Sequence, residues 1–472
     1  MKKIFIYIVL LFAAYEIHAQ TLIATSSSSE ATANHNQRKI VRDSFDNVYV
    51  VFADSIDGTK VIKGLWFDKN RNSWSDAKTI AEGTNPTISI TKNGEFHLVY
   101  EDNSPQTEIW HTSSSDFSSW TNSIKLSEDG FENRLPVCDS DFSGKINVFW
   151  LKYLECSDQS LVYACLDEDT LSHRKTVITK ENINDIAIAN HLQNFNDHLL
   201  FSMQFSEDSI LFFMSTDNME SMDTIYRSKG SQPCISFNSL SPWSYFDDDN
   251  SVRLLYIDES KQLVEVEYFA EYNLTNDYII SPDPTDYVCI DDIAPPLGYS
   301  FLFMQNGNLY HGFSYGTIFW PANYIIILDT ISSNPVNPSI AYKNFNPLFV
   351  DYIWTESNDN GFDIFYKRDE KHEYIGAIDD NFDKGFTLTG YPNPFNSQLN
   401  ISVTVHNGSN IPVIEIYDLN SRRVAVLKQL DSIGNEYIFT WDAKSKNLPT
   451  GLYLIKCIVG YRAIAKKVIF MN

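Results

Sequence analysis

Apolar residues in this chain fall in short runs bounded by Asn, Asp, Gly, Ser and Pro, the pattern of strands and tight turns. Long amphipathic helical patterns are missing. One strand type recurs, an apolar run closing on an aromatic: VYVVF to Phe52, FHLVY to Tyr100, INVFW to Trp150 and HLLF to Phe201. VRLLY to Tyr256, YSFLF to Phe303 and VDYIW to Trp354 continue the series. Successive spacings are 48, 50, 51, 55, 47 and 51 residues. Seven copies at a near-constant period predict a repetitive, all-β architecture.

The surroundings of each copy repeat as well. A short strand precedes it, often begun by proline: NPTISI at Pro86, RLPVCD at Pro136, QPCISF at Pro233 and NPSIAY at Pro338. A polar hairpin and a third, aromatic-rich strand follow, such as EIWHTSS or ILFFMST, and then a more variable fourth. Four antiparallel strands per fifty residues predict a β-propeller blade, so residues 20–375 are expected to form a seven-bladed β-propeller. A blade buries both apolar faces only against its neighbours, which accounts for the recurring aromatics. The last copy ends near Glu370 after three strands, and Thr21 to Thr25 is expected to supply the fourth and fasten the ring. These blades resemble those of the sialidase-like (Asp-box) superfamily, in which a Ser-x-Asp-x-Gly-x-Thr-Trp turn joins the third and fourth strands. Ser114-Ser115-Asp116-Phe117-Ser118-Ser119-Trp120 is the nearest match, one residue short and without the glycine; Ser215-Thr216-Asp217 begins another.

Both ends carry address-like features. Lys2 and Lys3 precede eleven apolar residues, Ile4 to Ala14, and Ile17-His18-Ala19 then leads to Gln20. This predicts a signal peptide over residues 1–19 with cleavage between Ala19 and Gln20. Eleven residues reach only about 17 Å as a helix, too short for a hydrocarbon core of about 30 Å, and the rest of the chain offers no spanning stretch. At the other end, residues 376–385 read as a linker and residues 386–472 as a small Ig-like β-sandwich of alternating strands such as LNISVTV and PVIEIYDL. In Tyr391-Pro392-Asn393-Pro394-Phe395-Asn396 two prolines restrict the backbone and predict an extended passage into that sandwich. Together with IYDLNSRRV at 416–424, WDAKSKNLPTGLYLIK at 441–456, which holds Gly451 and Tyr453, and the closing Lys466-Lys467-Val468-Ile469-Phe470, it resembles the type A C-terminal sorting domain of the type IX secretion system. That resemblance implies recognition by the outer-membrane translocon of a Gram-negative bacterium and a secreted or cell-surface destination. The ending Met471-Asn472 departs from the basic residue common there.

Charge sharpens the division. Residues 386–472 hold nine Lys/Arg against five Asp/Glu, a net +4, while the whole chain carries 36 bases, 61 acids and a net charge of −25. An acidic chain of this kind is not built for nucleic acid. The six cysteines, Cys138, Cys156, Cys165, Cys234, Cys289 and Cys457, show no CxxC and no zinc-ligand spacing, and read as mostly buried thiols.

Chemistry is sparser. A sialidase needs three arginines for its substrate carboxylate, and of the eight in the propeller only Arg38, Arg42 and Arg134 lie near predicted inner strands. Arg134-Leu135-Pro136 occupies the slot that other copies fill with Asn-Pro, which blade geometry explains without catalysis. No HExxH, GxSxG, P-loop or GxGxxG unit occurs, and His111 beside Trp110 reads as structural. No catalytic residue and no cofactor is identified. Asp247-Asp248-Asp249-Asn250 and Asn358-Asp359-Asn360-Gly361 offer oxygens for a structural Ca²⁺, although solvated hairpin turns account for both. Trp243 and Trp320 have flat faces for sugar stacking, against the simpler role of blade packing. The sequence therefore favours an exported propeller that binds or displays, with a glycan or surface protein as partner; the alternative is a secreted hydrolase of neutral polysaccharide using a carboxylate pair. Deletion of residues 386–472 is expected to abolish passage beyond the outer membrane. Fractionation of cells expressing the truncated chain checks this, and its appearance in the medium or on the surface would refute a sorting role.

Overall fold

The computed structural model describes residues 20–471 except 142, 155–157, 191–198, 206–208, 218, 238–250, 270–273, 282, 291–298, 315–325, 333–334, 342–348, 371–385, 406–411, 418–422, 429, 446–447 and 460–461. The expected signal peptide and the linker fall outside these residues, as do Ala19, Trp243, Trp320, Cys156 and the acidic run at 247–250. Every regular element among the described residues is a β-strand, so the chain is all-β.

Strands of the long N-terminal part pair antiparallel in chain order. β2 (Ile40–Arg42), β3 (Val48–Ile56), β4 (Thr59–Asp68) and β5 (Ser73–Trp74) form the first sheet, with β6 (Lys78–Glu82) also on β4. The second is β7 (Thr84–Ile90), β8 (Phe96–Glu101), β9 (Ile109–Ser114) and β10 (Ile124–Lys125). The third is β11 (Glu132–Ser140), β12 (Ile146–Tyr153), β13 (Asp158–Asp167) and β14 (Thr170–Glu181). A seven-stranded sheet follows: β15 (Ile183–Asn190), β16 (Leu199–Phe205), β17 (Ser209–Ser215), β18 (Asp223–Phe237), β19 (Ser251–Asp258), β20 (Leu263–Phe269) and β21 (Leu274–Ser281). Its long β18 serves as the last strand of one four-stranded unit and the first of the next. β22 (Thr285–Ile290), β23 (Tyr299–Gln305), β24 (Asn308–Ser314) and β25 (Ile326–Ser332) form the sixth unit. In the seventh, β26 (Pro335–Ile340), β27 (Phe349–Asn358) and β28 (Gly361–Glu370) take β1 (Thr21–Ser26) as their fourth strand.

Burial explains the sequence pattern. β8 is buried at every position and β12 at its first six, because neighbouring sheets cover both faces; β14, a fourth strand, is largely exposed. Each hydrophobic core straddles two successive units. Val99 and Ile109 share one with Val148 and Trp150, Phe149 and Tyr163 share another with Ile188 and Phe201, and so on along the chain. The series returns to its start, where Val48, Val50 and Phe52 pack with Ile353, Ile364 and Tyr366 of the seventh unit. Five of the six cysteines are described; all are free thiols, and Cys138, Cys234, Cys289 and Cys457 are buried.

The Asp-containing turn lies between β9 and β10, the third and fourth strands of its unit. Asp116 Oδ1 accepts hydrogen bonds from the Ser118 and Ser119 amides, both 2.8 Å. Those bonds hold its carboxyl down at about 2. Phe117 takes a φ of 61° and buries its ring among Tyr49, Phe96 and Trp120.

The C-terminal part has two four-stranded sheets. One orders β29 (Phe386–Tyr391), β30 (Gln398–Val405), β34 (Glu436–Asp442) and β33 (Asp431–Ile433). The other orders β32 (Arg423–Leu427), β31 (Val413–Tyr417), β35 (Gly451–Val459) and β36 (Arg462–Phe470). Leu399, Ile401 and Phe439 from the first meet Ile414, Ile455 and Val468 from the second in one core.

Asp54 on β3 latches the end of β1. Its Oδ1 accepts hydrogen bonds from the Ser27 amide (2.8 Å) and hydroxyl (2.9 Å), and Lys63 Nζ lies 2.6 Å from Oδ2. Burial alone would raise this carboxyl, but the bonds from Lys63 and from the Ser27 and Ser55 backbone outweigh it and set the value at about 2. A depressed carboxyl stabilises the fold above its unfolded value of about 4 and loses that contribution as pH falls toward the folded one. Protection of the Thr21–Ser26 amides is therefore expected to drop between about pH 4 and 2, and Asp54→Asn to remove that step. Hydrogen exchange corrected for intrinsic rates measures it.

Candidate functional site: an axial segment and the cleft beside it

Between β1 and β2 the chain passes through Thr32 to Lys39, a run of polar residues that includes Asn34-His35-Asn36-Gln37-Arg38-Lys39. A polar stretch enters a protein interior only if its groups find partners. Here the first strands of the other six units supply them. Thr32 Oγ1 donates to Asn337 O of β26 (2.7 Å), Lys39 Nζ to Pro86 O of β7 (2.6 Å) and Gln37 Nε2 to Pro136 O of β11 (3.0 Å). Asn36 Nδ2 donates to Asp185 Oδ1 of β15 (3.1 Å) and Pro233 O of β18 (2.9 Å). The His35 ring meets Tyr287 of β22 edge-on, centroids 5.5 Å apart.

The prolines inside these strands mark a bulge. At Pro86, Pro136, Pro233 and Pro338 the ladder shifts register, and the preceding Asn85, Leu135, Gln232 and Asn337 take φ between 49° and 55°. Proline has no amide hydrogen to lose from the ladder, and the bulge re-aims its carbonyl. Three of these carbonyls accept from the axial segment, and Pro338 O accepts from Tyr287 (2.8 Å).

Arg38 is nine-tenths buried and joins two units. It donates to Cys138 O (3.2 Å) and Ile188 O (2.8 Å) and lies 3.1 Å from Asp139 Oδ1. Burial draws the Lys39 ammonium well below the ordinary lysine range, partly opposed by Glu101.

Beside this segment lies a cleft of about 300 Å³ lined by Asn34, His35, Asn36, Gln37, Leu135, Val137, Asn184, Asp185, Ile186, Gln204, Ser231 and Gln232. Side-chain amides dominate its wall. His35 Nε2 lies 3.1 Å from Asp185 Oδ2. Burial pushes the Asp185 carboxyl up, against the opposing pull of His35 and the Asn36 hydrogen bond. Asp185 is the sole carboxylate among these lining residues, and no aromatic ring other than the imidazole is among them. Hydrolysis of a glycosidic bond by paired carboxyls needs two of them about 5–10 Å apart. This wall instead offers paired donors and acceptors suited to hydroxyl groups.

The structure separates the three arginines of the sialidase hypothesis. Arg38 serves the axis, buried Arg42 pairs with Asp351, and half-exposed Arg134 pairs with Glu132. Asn358 to Gly361 is the β27–β28 hairpin turn, where Asn360 N donates to Asn358 Oδ1 (2.7 Å). Sequence reasoning missed the axial segment and Asp185; only the density of side-chain amides at 34–37 hints at them.

Sorting-motif residues divide into a buried set and a surface set. Phe395, Trp441, Tyr453 and Phe470 form an aromatic cluster with centroids 5.2–5.3 Å apart. The passage at 391–396 bends rather than running extended, because burying Phe395 draws it over the edge of β36. There Asn393 accepts from the Ile469 amide (2.8 Å) and donates to Lys467 O (3.2 Å). Gly451 opens β35. Tyr391 and Lys467 are exposed and Lys466 is half-buried. Pro392, Pro394 and Asn396 are exposed around the same bend.

Residues 389–471 match the secretion system C-terminal sorting domain. The chain is thus addressed across the outer membrane, to be secreted or attached at the cell surface. No curated protein matches it. Among solved structures it is similar to a PL25 ulvan lyase bound to -[GlcA(1-4)Rha3S]-, with TM-score 0.50 and 12% identity over 73% of this chain and 95% of that one. It is also similar to a Trypanosoma rangeli sialidase, with TM-score 0.45 and 8% identity over 92% and 84% of the two chains. A protein of unknown function from Dyadobacter fermentans gives 0.43 and 10% over 75% and 97%.

Arg38→Ala is expected to cost about 3–5 kcal/mol, since it strands the buried Asp139 carboxylate and two carbonyls. Arg134→Ala is expected to stay within about 0.5 kcal/mol because its ion pair is exposed. Denaturant unfolding of the two variants measures the contrast; equal effects would contradict the axial role of Arg38.

Proposed function

We propose that this chain is an exported seven-bladed β-propeller, residues 20–375, followed by a linker at 376–385 and an Ig-like sorting sandwich at 386–472. Its function is to hold a neutral glycan in the cleft beside the axial segment. The return of the core series to its first unit and the pairing of β1 with β28 support a closed ring. The similarity in fold to the ulvan lyase supports the same architecture and carries no activity with it.

A single observation carries the binding reading: the cleft wall is rich in amides and holds one carboxylate, already engaged by His35 and Asn36. Asn, Gln and Ser side chains donate and accept together, as sugar hydroxyls require, and they place no net charge against a neutral ligand. The volume suits one or two sugar residues. Sorting to the outer surface brings such a site to environmental or cell-wall polysaccharide, and the translocon is the partner of the sandwich. Trp243 and Trp320, outside the described residues, remain candidates for stacking on a sugar.

A neutral-glycan array probed with residues 20–472, run beside a chromogenic glycosidase panel, tests the reading. Binding without turnover is expected. Asn184→Ala, an exposed lining residue, is expected to weaken binding about tenfold, the worth of one good hydrogen bond, with an unchanged melting temperature. Turnover that survives purification would favour the hydrolase instead.

A further inference from the structure

Apart from the residues that line the cleft, two buried imidazoles and a carboxylate converge. His97 of β8 pairs in register with Ser113 of β9, and His111 of β9 with Val99, so both histidines leave the same face of the hairpin. Their rings stack at 17° with centroids 5.3 Å apart, and His97 Nδ1 lies 3.0 Å from His111 Nε2. Asp169 reaches them from the β13–β14 turn of the next unit. Its Oδ1 lies 3.5 Å from His97 Nδ1 and 3.9 Å from His111 Nε2. Ser113 Oγ donates to its other oxygen at 2.5 Å, which fixes the carboxylate in place.

One proton cannot satisfy this arrangement. Two neutral imidazole nitrogens facing each other share a single hydrogen, and Asp169 Oδ1, buried, has no hydrogen-bond donor. With the shared hydrogen displaced, the two nitrogens and Asp169 Oδ1 each have a lone pair to offer a cation, and the three atoms lie close enough to hold one ion. Ligands held about 2.0–2.2 Å from a tetrahedral ion stand roughly 3.3–3.5 Å apart, and the three observed separations span that value.

We propose that His97, His111 and Asp169 bind a divalent transition-metal ion, zinc by the chemistry of two imidazoles and one carboxylate. The fourth position opens to water on the partly exposed Asp169 side. Glu95, whose Oε2 lies 3.8 Å from His97 Nε2, stands behind that ring as an outer-shell carboxylate. Because the histidines belong to the second unit and Asp169 to the third, the ion would clamp neighbouring sheets together. All three ligand atoms lie within 4.8 Å of one another, and no other such group of three occurs among the described residues.

The test uses untagged residues 20–472, stripped with EDTA and reloaded with zinc. One zinc per chain is expected to survive desalting, by elemental analysis, and the melting temperature to rise by about 3 °C at saturating metal. Asp169→Ala, at a turn and partly exposed, is expected to fold with the melting temperature of the metal-free chain and to lose both effects. His111→Asn is expected to lose retained zinc as well. No retained zinc, or equal retention by a folded Asp169→Ala chain, would overturn the proposal. A rise with Ca²⁺ equal to that with zinc would overturn the choice of a transition metal.

Discussion

Two-sided burial of the second strand in each unit is the constraint on which everything else rests. Strands such as β8 and β12 are buried on both faces, so no unit can cover its own surface. Each needs a neighbour on either side, and a finite row of such units would leave two apolar faces bare. The core that joins Val50 and Phe52 to Ile353 and Tyr366 removes those bare faces, and β1 covers the last edge.

Units gathered in this way leave a polar interior where their first strands converge. The segment from Thr32 to Lys39 fills it and hydrogen-bonds to the strand starts. Arg38 and Lys39 are buried there at a desolvation cost that only a full set of carbonyl and carboxylate partners offsets. The cleft lies beside this segment, and Asn34 to Gln37 form a third of its wall. Residues that hold the first strands together therefore also line the cleft.

The C-terminal sandwich follows a separate logic. Its aromatic cluster of Phe395, Trp441, Tyr453 and Phe470 anchors the YPNPFN passage to the core through Phe395 alone, while Tyr391 and Lys467 stay on the surface. A basic module carried behind an acidic body presents a translocon with a surface the rest of the chain does not share. Its two sheets share one core, built from their own strands.

The sequence by itself determined the strand pattern, the fifty-residue period and the sorting motif, because each is written in residues a few positions apart. VYVVF and INVFW announce two-sided burial directly, and the proline-led strand starts are visible as Asn85-Pro86 or Gln232-Pro233. Beyond the density of side-chain amides at 34–37, nothing local marks Asn34 to Lys39 as interior, since its polarity is that of a surface loop; the carbonyls that satisfy it come from strands some 50 to 300 residues away. His111 read as structural because its companions lie on the paired strand and on the next unit. Tertiary structure alone decided those meetings: burial sets which residues are apolar, but the packing of one sheet on the next sets which polar groups face each other.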